Sequence, residues 1–266
     1  MIKNITIGQY FPGETLVHRM DPRIKIMSVF IFIISLFFVN RFIAYAPSAI
    51  LLLAVIAISR IPFKYILKGL KPISVLIAIT FFINVFMTKG EVLYRLGPLT
   101  ATREGLVQAG FMAIRLVLLV VGTTLLTLTT SPIALTDGIE KLLNPFKRIG
   151  VPAHELAMMM TIALRFIPTL LEEADKIMKA QMARGADFES GNVVRRAKNL
   201  IPLLVPLFIS AFRRADELSM AMESRCYRGG ENRTRMRELV LVKTDYIAFA
   251  FAVVYFILII AMRYFI

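Results

Sequence analysis

The chain offers little from which bond chemistry could be built. Its single cysteine, Cys226, excludes an internal disulfide and any cysteine-rich metal site. It has only two histidines, His18 and His154, and no His-Glu-x-x-His arrangement, so no zinc or other metal is expected. No Gly-x-x-x-x-Gly-Lys-Ser/Thr loop occurs, so ATP binding through that motif is not expected, and Gly-x-Gly-x-x-Gly is missing too. The long apolar runs contain no Asp or Glu, which argues against a carboxylate proton relay inside a membrane. The opening Met1-Ile2-Lys3-Asn4-Ile5-Thr6 lacks an apolar run ending in a small-residue cleavage site. No signal peptide is therefore expected, and the first hydrophobic run should act as an uncleaved insertion signal.

What the chain does have is apolar surface. Hydrophobic residues make up 57% of its 266 residues, and mean hydropathy is +0.69, beyond ordinary soluble composition. Charged residues, 19% of the total, are clustered, as in an all-α polytopic membrane protein with a polar cytoplasmic part. A net charge of +14 could point to nucleic acid, but long apolar runs separate the basic clusters. The excess of Lys and Arg in cytoplasmic loops is the simpler source, so the expected surface partner is the lipid bilayer and not nucleic acid.

Residues 1–23 form a polar N-terminal segment broken by Gly8, Pro12, Gly13 and Pro22. Asp21 can cap the first apolar helix with Pro22 at its first position. Asp21 and the nearby arginines read as structural caps and interface anchors. Apolar runs follow at 24–39, 42–59, 72–87 and 105–129, making a four-helix transmembrane part over 24–130. The first three are short for a roughly 30 Å hydrocarbon layer, so their ends should extend into the interface. A basic loop with Arg60, Lys64, Lys68 and Lys71 joins the second and third. An outer loop, 89–104, contains Gly97-Pro98. A last run, 246–262 within 245–266, makes about five spans. With the basic loops inside, the N-terminus is cytoplasmic.

The charged region 131–244 is then also cytoplasmic and partly membrane-embedded, a bundle of three helices. The first starts at Ser131-Pro132 and ends near Leu143-Asn144-Pro145. The second opens at Pro152 and turns polar toward Arg184. The third begins near Val193 and should be bent or broken by Pro202 and Pro206. Two near-copies of one signature lie here. Glu173-Ala174-Asp175 precedes Ala183-Arg184-Gly185, and Arg214-Ala215-Asp216 precedes Ser224-Arg225-Cys226. Asp175 aligns with Asp216, and Arg184 with Arg225, both at an offset of 41 residues. One Arg at a helix C-terminus merely complements the macrodipole, contributing about 0.3–1 kcal/mol. Two at matched offset read as parallel docking prongs, each presenting a guanidinium to a partner, with Asp175, Asp216, Pro168, Pro202 and Pro206 supporting the helices.

Arg115 lies near the middle of the fourth run, where an unpaired charge costs at least ~2.5 kcal/mol. Either it bonds to carbonyls or a polar face of the insert, or it contacts a partner subunit; Arg165 poses the same question. Met158, Met159 and Met160 are either ordinary packing or an adaptable face for interchangeable partners. His154, near a helix start, reads as an interfacial or capping side chain. The acids at 172–175 have the spacing of a solvated helix side and not of an enzyme of lipid metabolism.

The Arg-ended helices and the N-terminal stretch together resemble the transmembrane T component of energy-coupling factor transporters. The likeness rests on Gly8-Gln9-Tyr10-Phe11-Pro12-Gly13, on His18 through Lys25 around Asp21-Pro22-Arg23, and on Ala163-Leu164-Arg165-Phe166-Ile167-Pro168 continuing to Ala180-Gln181-Met182-Ala183-Arg184-Gly185. It covers nearly the whole chain, and the second tip departs in its flanks, Ser224 and Cys226. The resemblance implies a non-catalytic scaffold, in the cell membrane of a prokaryote, between two cytoplasmic ATPase subunits and a small membrane subunit that captures the substrate. It implies that Arg184 and Arg225 each enter a groove on one ATPase. ATP and Mg would be bound by those ATPases, and no cofactor by this chain. The expected function is coupling in an ATP-driven importer of vitamins or related micronutrients. The alternative is a self-sufficient secondary transporter or channel, for which the prolines from 152 to 206 could supply broken helices.

Overall fold

A computed structural model of the chain describes residues 10–96, 99–188, 192–230 and 239–265. Gly8-Gln9 of the N-terminal motif and Gly97-Pro98 of the expected outer loop lie outside these residues. The chain divides into two compact units, one holding Gly8–Gly138 with Glu238–Ile266 and the other Ile139–Arg237. The protein is an all-α polytopic membrane protein.

In the first unit, α1 (Leu16–Arg19) and α2 (Pro22–Phe38) are followed by a 3-10 turn, Phe42–Ala44, that runs into α3 (Tyr45–Ser59). Next come α4 (Phe63–Leu70), α5 (Ser74–Met87), the strands β1 (Val92–Leu96) and β2 (Leu99–Thr102), α6 (Arg103–Thr129), the start of α7 (Pro132–Leu143), and finally α11 (Lys243–Phe265). Phe42–Ser59, α6 and α11 are long and apolar enough to cross a membrane. So are α4 and α5 together if that pair, bent by 56°, counts as one span. At 1.5 Å per residue the 17-residue α2 reaches only about 25 Å.

Two stretches expected as loops are ordered. The basic segment after α3 is the helix α4, because Phe63, Ile66, Leu67 and Leu70 recur at helical spacing opposite Lys64, Lys68 and Lys71. The expected outer loop is an antiparallel hairpin in which Leu96 pairs with Leu99 and Val92 with Thr102. Thr102 ends the hairpin and caps α6, its hydroxyl accepting from Gly105 N at 3.0 Å.

The core of this unit lies between α2, α3, α6 and α11, with Leu36, Leu52, Val121, Leu125, Leu128 and Ile259 buried. A polar group of three hydroxyls lies within it. Tyr255 Oη lies 3.0 Å from Ser35 Oγ and 2.6 Å from Ser48 Oγ, so one apolar ring from α11 joins polar points on α2 and α3. Arg115 follows the first of its two readings. Its Nη2 donates to the Val39 carbonyl at the end of α2 and its Nε to Tyr45 Oη, both at 3.2 Å, and it lies over the Phe111 ring. The charge is thus met within its own unit.

Asp21, Arg23 and Lys25 tie the N-terminal ends of α2 and α11 to the C-terminal end of α6. Asp21 caps α2 by accepting from Arg23 N at 2.8 Å, with Pro22 at the first helical position. Arg23 also grips that carboxylate with Nε at 3.0 Å and Nη2 at 2.8 Å. Burial alone would raise the Asp21 carboxyl, but its bonds to Arg23 outweigh this and hold it below the usual carboxylate range. Asp245 accepts from Asp21 N at 3.0 Å and from Val242 N at 2.9 Å. Lys25 Nζ donates to the Thr129 and His18 carbonyls, each at 3.0 Å, and so stops the end of α6.

The second unit contains the end of α7, a 3-10 segment Asn144–Ile149, α8 (Ala153–Ala183), α9 (Val193–Asn199) and α10 (Ile201–Ser224). Ser131 caps α7 from outside this unit, accepting from Ala134 N at 3.3 Å. α8 runs unbroken through Pro168 for 31 residues and is itself long and apolar enough to cross a membrane. The expected third helix breaks at Leu200, because Pro202 cannot supply an N–H to continue α9. Pro206 lies within continuous helix.

Candidate docking site at two helix ends

Arg184 and Arg225 occupy the same position of the same capping motif. After α8, Gly185 N donates to Met182 O at 3.0 Å and Ala186 N to Gln181 O at 3.0 Å. After α10, Cys226 N donates to Glu223 O at 2.8 Å and Tyr227 N to Met222 O at 3.1 Å. Each pair of bonds is a Schellman cap, which satisfies the last carbonyls and turns the chain sharply away. The turn needs a left-handed residue just past the Arg. Gly185 supplies it at φ 86°, and Cys226, which has a Cβ, supplies it at φ 54°.

Both arginines therefore stand where the helix stops, and both are exposed. Among the described residues neither guanidinium makes a hydrogen bond or an ion pair. Ala183, Gly185, Ser224 and Cys226 are exposed beside them. A charged, planar, five-donor group held at a rigid helix end can make a bidentate bond to a carboxylate on another protein without first ordering its own backbone.

The two prongs are not parallel. Glu173 on α8 meets Arg214 on α10, whereas Met158 and His154, near the start of α8, meet Tyr227 beyond the end of α10. Contacts that rise along one helix while falling along the other define an antiparallel pair. The 41-residue repeat places matching positions together only at this clasp, where Arg214 Nη2 and Glu173 Oε2 are 2.9 Å apart. Each Arg lies eleven residues beyond the clasp, about 16 Å of helix, and the two tips point in opposite directions.

The tips differ in their support. Past Arg225, Tyr227 Oη lies 3.2 Å from His154 Nε2 and 3.0 Å from Met158 Sδ, while His154 Nδ1 lies 3.1 Å from Glu140 on α7. A Cβ on Gly230 would come within 2.4 Å of the His154 ring, so Gly230 packs directly against the imidazole. His154 is thus a brace between three segments, more than the capping side chain expected of it. The sequence signal was Tyr227 itself, an aromatic hydroxyl where the first copy has Ala186. Asp175 pairs with Lys179 one turn on, whereas its counterpart Asp216 is exposed. Met158 faces Tyr227, Met159 is exposed and Met160 is half-buried. Arg165 and Pro168 are exposed on α8. An apolar row on α10, Ile201, Leu204, Val205, Phe208 and Phe212, is exposed as well.

No group of His, Cys, Asp or Glu among the described residues could hold a metal ion. Residues 13–236 match a family model described as a cobalt transport protein, CbiQ. The chain is 64% identical to an energy-coupling factor transporter transmembrane protein, EcfT, of Thermosediminibacter oceani, with 93% of this chain and 94% of that protein aligned. Identity to the proteins of the same name is 63% in Clostridium kluyveri, covering 93% of each chain, and 51% in Bacillus subtilis, covering 92% and 93%.

Proposed function

The chain belongs to the family of energy-coupling factor transporter transmembrane proteins, and from that premise we propose that it couples two ATPase subunits to a substrate-binding membrane subunit. It is a multi-pass membrane subunit, the T component, of such a transporter. Each Arg tip engages one cytoplasmic ATPase. This assignment is carried by the paired Schellman caps, which present Arg184 and Arg225, both exposed, at opposite ends of one antiparallel helix pair.

Opposed tips suit two separate motors better than one. When ATP draws the ATPases together, the tips move relative to each other about the Glu173–Arg214 clasp. The far sides of α8 and α10 move with them, and the exposed row from Ile201 to Phe212, with Met158, Met159 and Met160, gives an apolar face that can stay in contact with a membrane partner as it shifts. Arg115, already bonded to Val39 and Tyr45, is left out of that contact. The chain performs no bond chemistry; ATP and Mg belong to the ATPases, and a vitamin or related micronutrient to the binding subunit. A scaffold of this kind is inert when purified alone, whereas a self-sufficient secondary transporter or channel would move solute by itself.

Co-purification tests the reading. Arg184→Glu and Arg225→Glu should each release one ATPase contact at a cost of ~2–5 kcal/mol, the range for leaving a buried partner charge unpaired. The double variant should lose both ATPases, and full retention of both would refute the assignment. The proposed orientation has the N-terminus in the cytoplasm. A membrane-impermeant label should then reach a cysteine at Lys89 from outside the cell, and labelling only after permeabilisation would reverse the topology. Arg233, the matching inside position, lies outside the described residues.

A further inference from the structure

The stretch Ile139–Arg237 is inserted in the first unit, which the chain leaves after Gly138 and re-enters at Glu238. Within the first unit, neighbouring residues of the N-terminal segment hold both of these points. At the exit, Gly138 of α7 lies so close to α2 that an added Cβ would be 2.9 Å from Pro22 Cβ and 3.2 Å from Ile26 Cδ1. At the return, Arg23 Nη2 donates to the Leu239 carbonyl at 3.1 Å. Asp245, three residues beyond Val242, fixes the following helix start through Asp21 N. Lys25 fixes the strand of chain just ahead of α7 through Thr129 O.

We propose that Asp21-Pro22-Arg23 is a positioning clamp that holds the two ends of the inserted unit at a fixed spacing, so that force applied at its Arg tips is transmitted and not lost as slack. The inference rests on the coupling reading above. A lever transmits motion only if its root resists displacement, and a root of two peptide strands is stiff only when both are pinned. A buried carboxylate gripped by a guanidinium suits this task because pulling the two apart leaves the Asp21 charge buried and unpaired, a cost that apolar packing alone does not impose. Here Arg23 Nη2 reaches both Asp21 Oδ2 and the Leu239 carbonyl, so a shift of the returning chain breaks a bond of the same guanidinium that grips the capping carboxylate of α2. Gly138 lets α7 sit directly on the Pro22 ring that begins the same helix.

The test uses the whole complex in liposomes with its ATPases and binding subunit. ATP hydrolysis and uptake of a mixture of radiolabelled B vitamins are measured together. Arg23→Gln should leave the ATPases bound and hydrolysing but lower uptake per ATP by roughly 2- to 30-fold, the span of coupling changes produced by single residues. Arg23→Lys, which keeps the charge and loses the fork, should fall between. Gly138→Ala pries α7 from Pro22 with every charge in place and should lower the same ratio, so the test survives if Arg23→Gln does not fold. Spin labels at Ile133 and Val240, in a Cys226→Ser background, should give a narrow distance distribution in the native clamp and a broad one in both variants. Uptake per ATP equal to native in assembled variants, or an unchanged label distance, would overturn the clamp. Retention of both ATPases by the double tip variant would instead sink the coupling reading, leaving the label distances to judge the clamp.

Discussion

Glu173 and Arg214 hold corresponding places in the two copies of one signature, and they bond to each other, with Arg214 Nη2 2.9 Å from Glu173 Oε2. In an antiparallel pair of equivalent helices only the crossing point brings like positions together. The sequence places opposite charges at that point and the same cation at both tips. The clasp is therefore where α8 and α10 are registered, and sliding either helix by one turn would replace it with a mismatch.

Reversing one charge should show this. Glu173→Arg or Arg214→Glu alone places like charges together and should weaken the helix pair. The swap of both should recover most of the loss. Because the two side chains are 25% and 37% exposed, the coupling energy in a double-mutant cycle should be about 0.2–1 kcal/mol and should shrink with added salt. A swap that recovers nothing would mean that packing alone registers the helices.

How far the sequence revealed this depends on which interactions are local. The ends of α8 and α10 were legible because helix termini are written within a few residues, and Arg184 and Arg225 both stand where their helices stop. The start of α2 at Asp21-Pro22 was legible for the same reason. The direction of the pair was not, since a 41-residue repeat says which positions are equivalent and nothing about which way the second helix runs. The role of His154 was hidden as well, because its partners Glu140 and Tyr227 lie 14 and 73 residues away and have no periodic relation to it. The sequence reads as a loop at α4 because three lysines in eleven residues interrupt the apolar positions whose helical spacing forms it. α8 was legible as a helix with an apolar first half and a charged end, and it is long and apolar enough to cross a membrane.

The two tips should respond oppositely to changes at their left-handed residue. Gly185→Ala introduces a Cβ at φ 86° and should destabilise the first cap by about 1–2 kcal/mol. Cys226→Gly relieves the same strain at φ 54°, but glycine's extra unfolded freedom offsets about 0.5–1 kcal/mol, so the second cap should gain less than the first loses. Amide exchange reads both locally. The Ala186 amide should exchange faster in Gly185→Ala and the Tyr227 amide slower in Cys226→Gly. Equal effects of the same sign at both tips would show that the caps are not equivalent.

Acid should loosen the N-terminal segment through His18. Its Nε2 faces the Phe11 carbonyl at 3.1 Å, which can only accept, so the proton sits there and Nδ1 accepts from Thr15 Oγ1 at 2.7 Å. Only the neutral ring makes both bonds with the Thr15 hydroxyl as donor. Burial pushes the His18 pKa below its ordinary value, the Phe11 carbonyl opposes this, and the Lys25 ammonium adds to the lowering. The unfolded chain therefore takes up a proton at higher pH than the folded one. Stability from this site is complete above the ordinary value of about 6.5 and is lost as pH falls from there through the folded value. Phe11 N bonds to Leu128 O at 2.9 Å, so the loss should reach the end of α6. Thermal melting from pH 7.5 to 5.5 should show a falling midpoint, and His18→Gln, which cannot titrate, should flatten the slope. The difference between the two curves isolates His18 from His154 and the carboxylates. A parallel pair of curves would show that the ring stays neutral throughout or that its bonds contribute nothing.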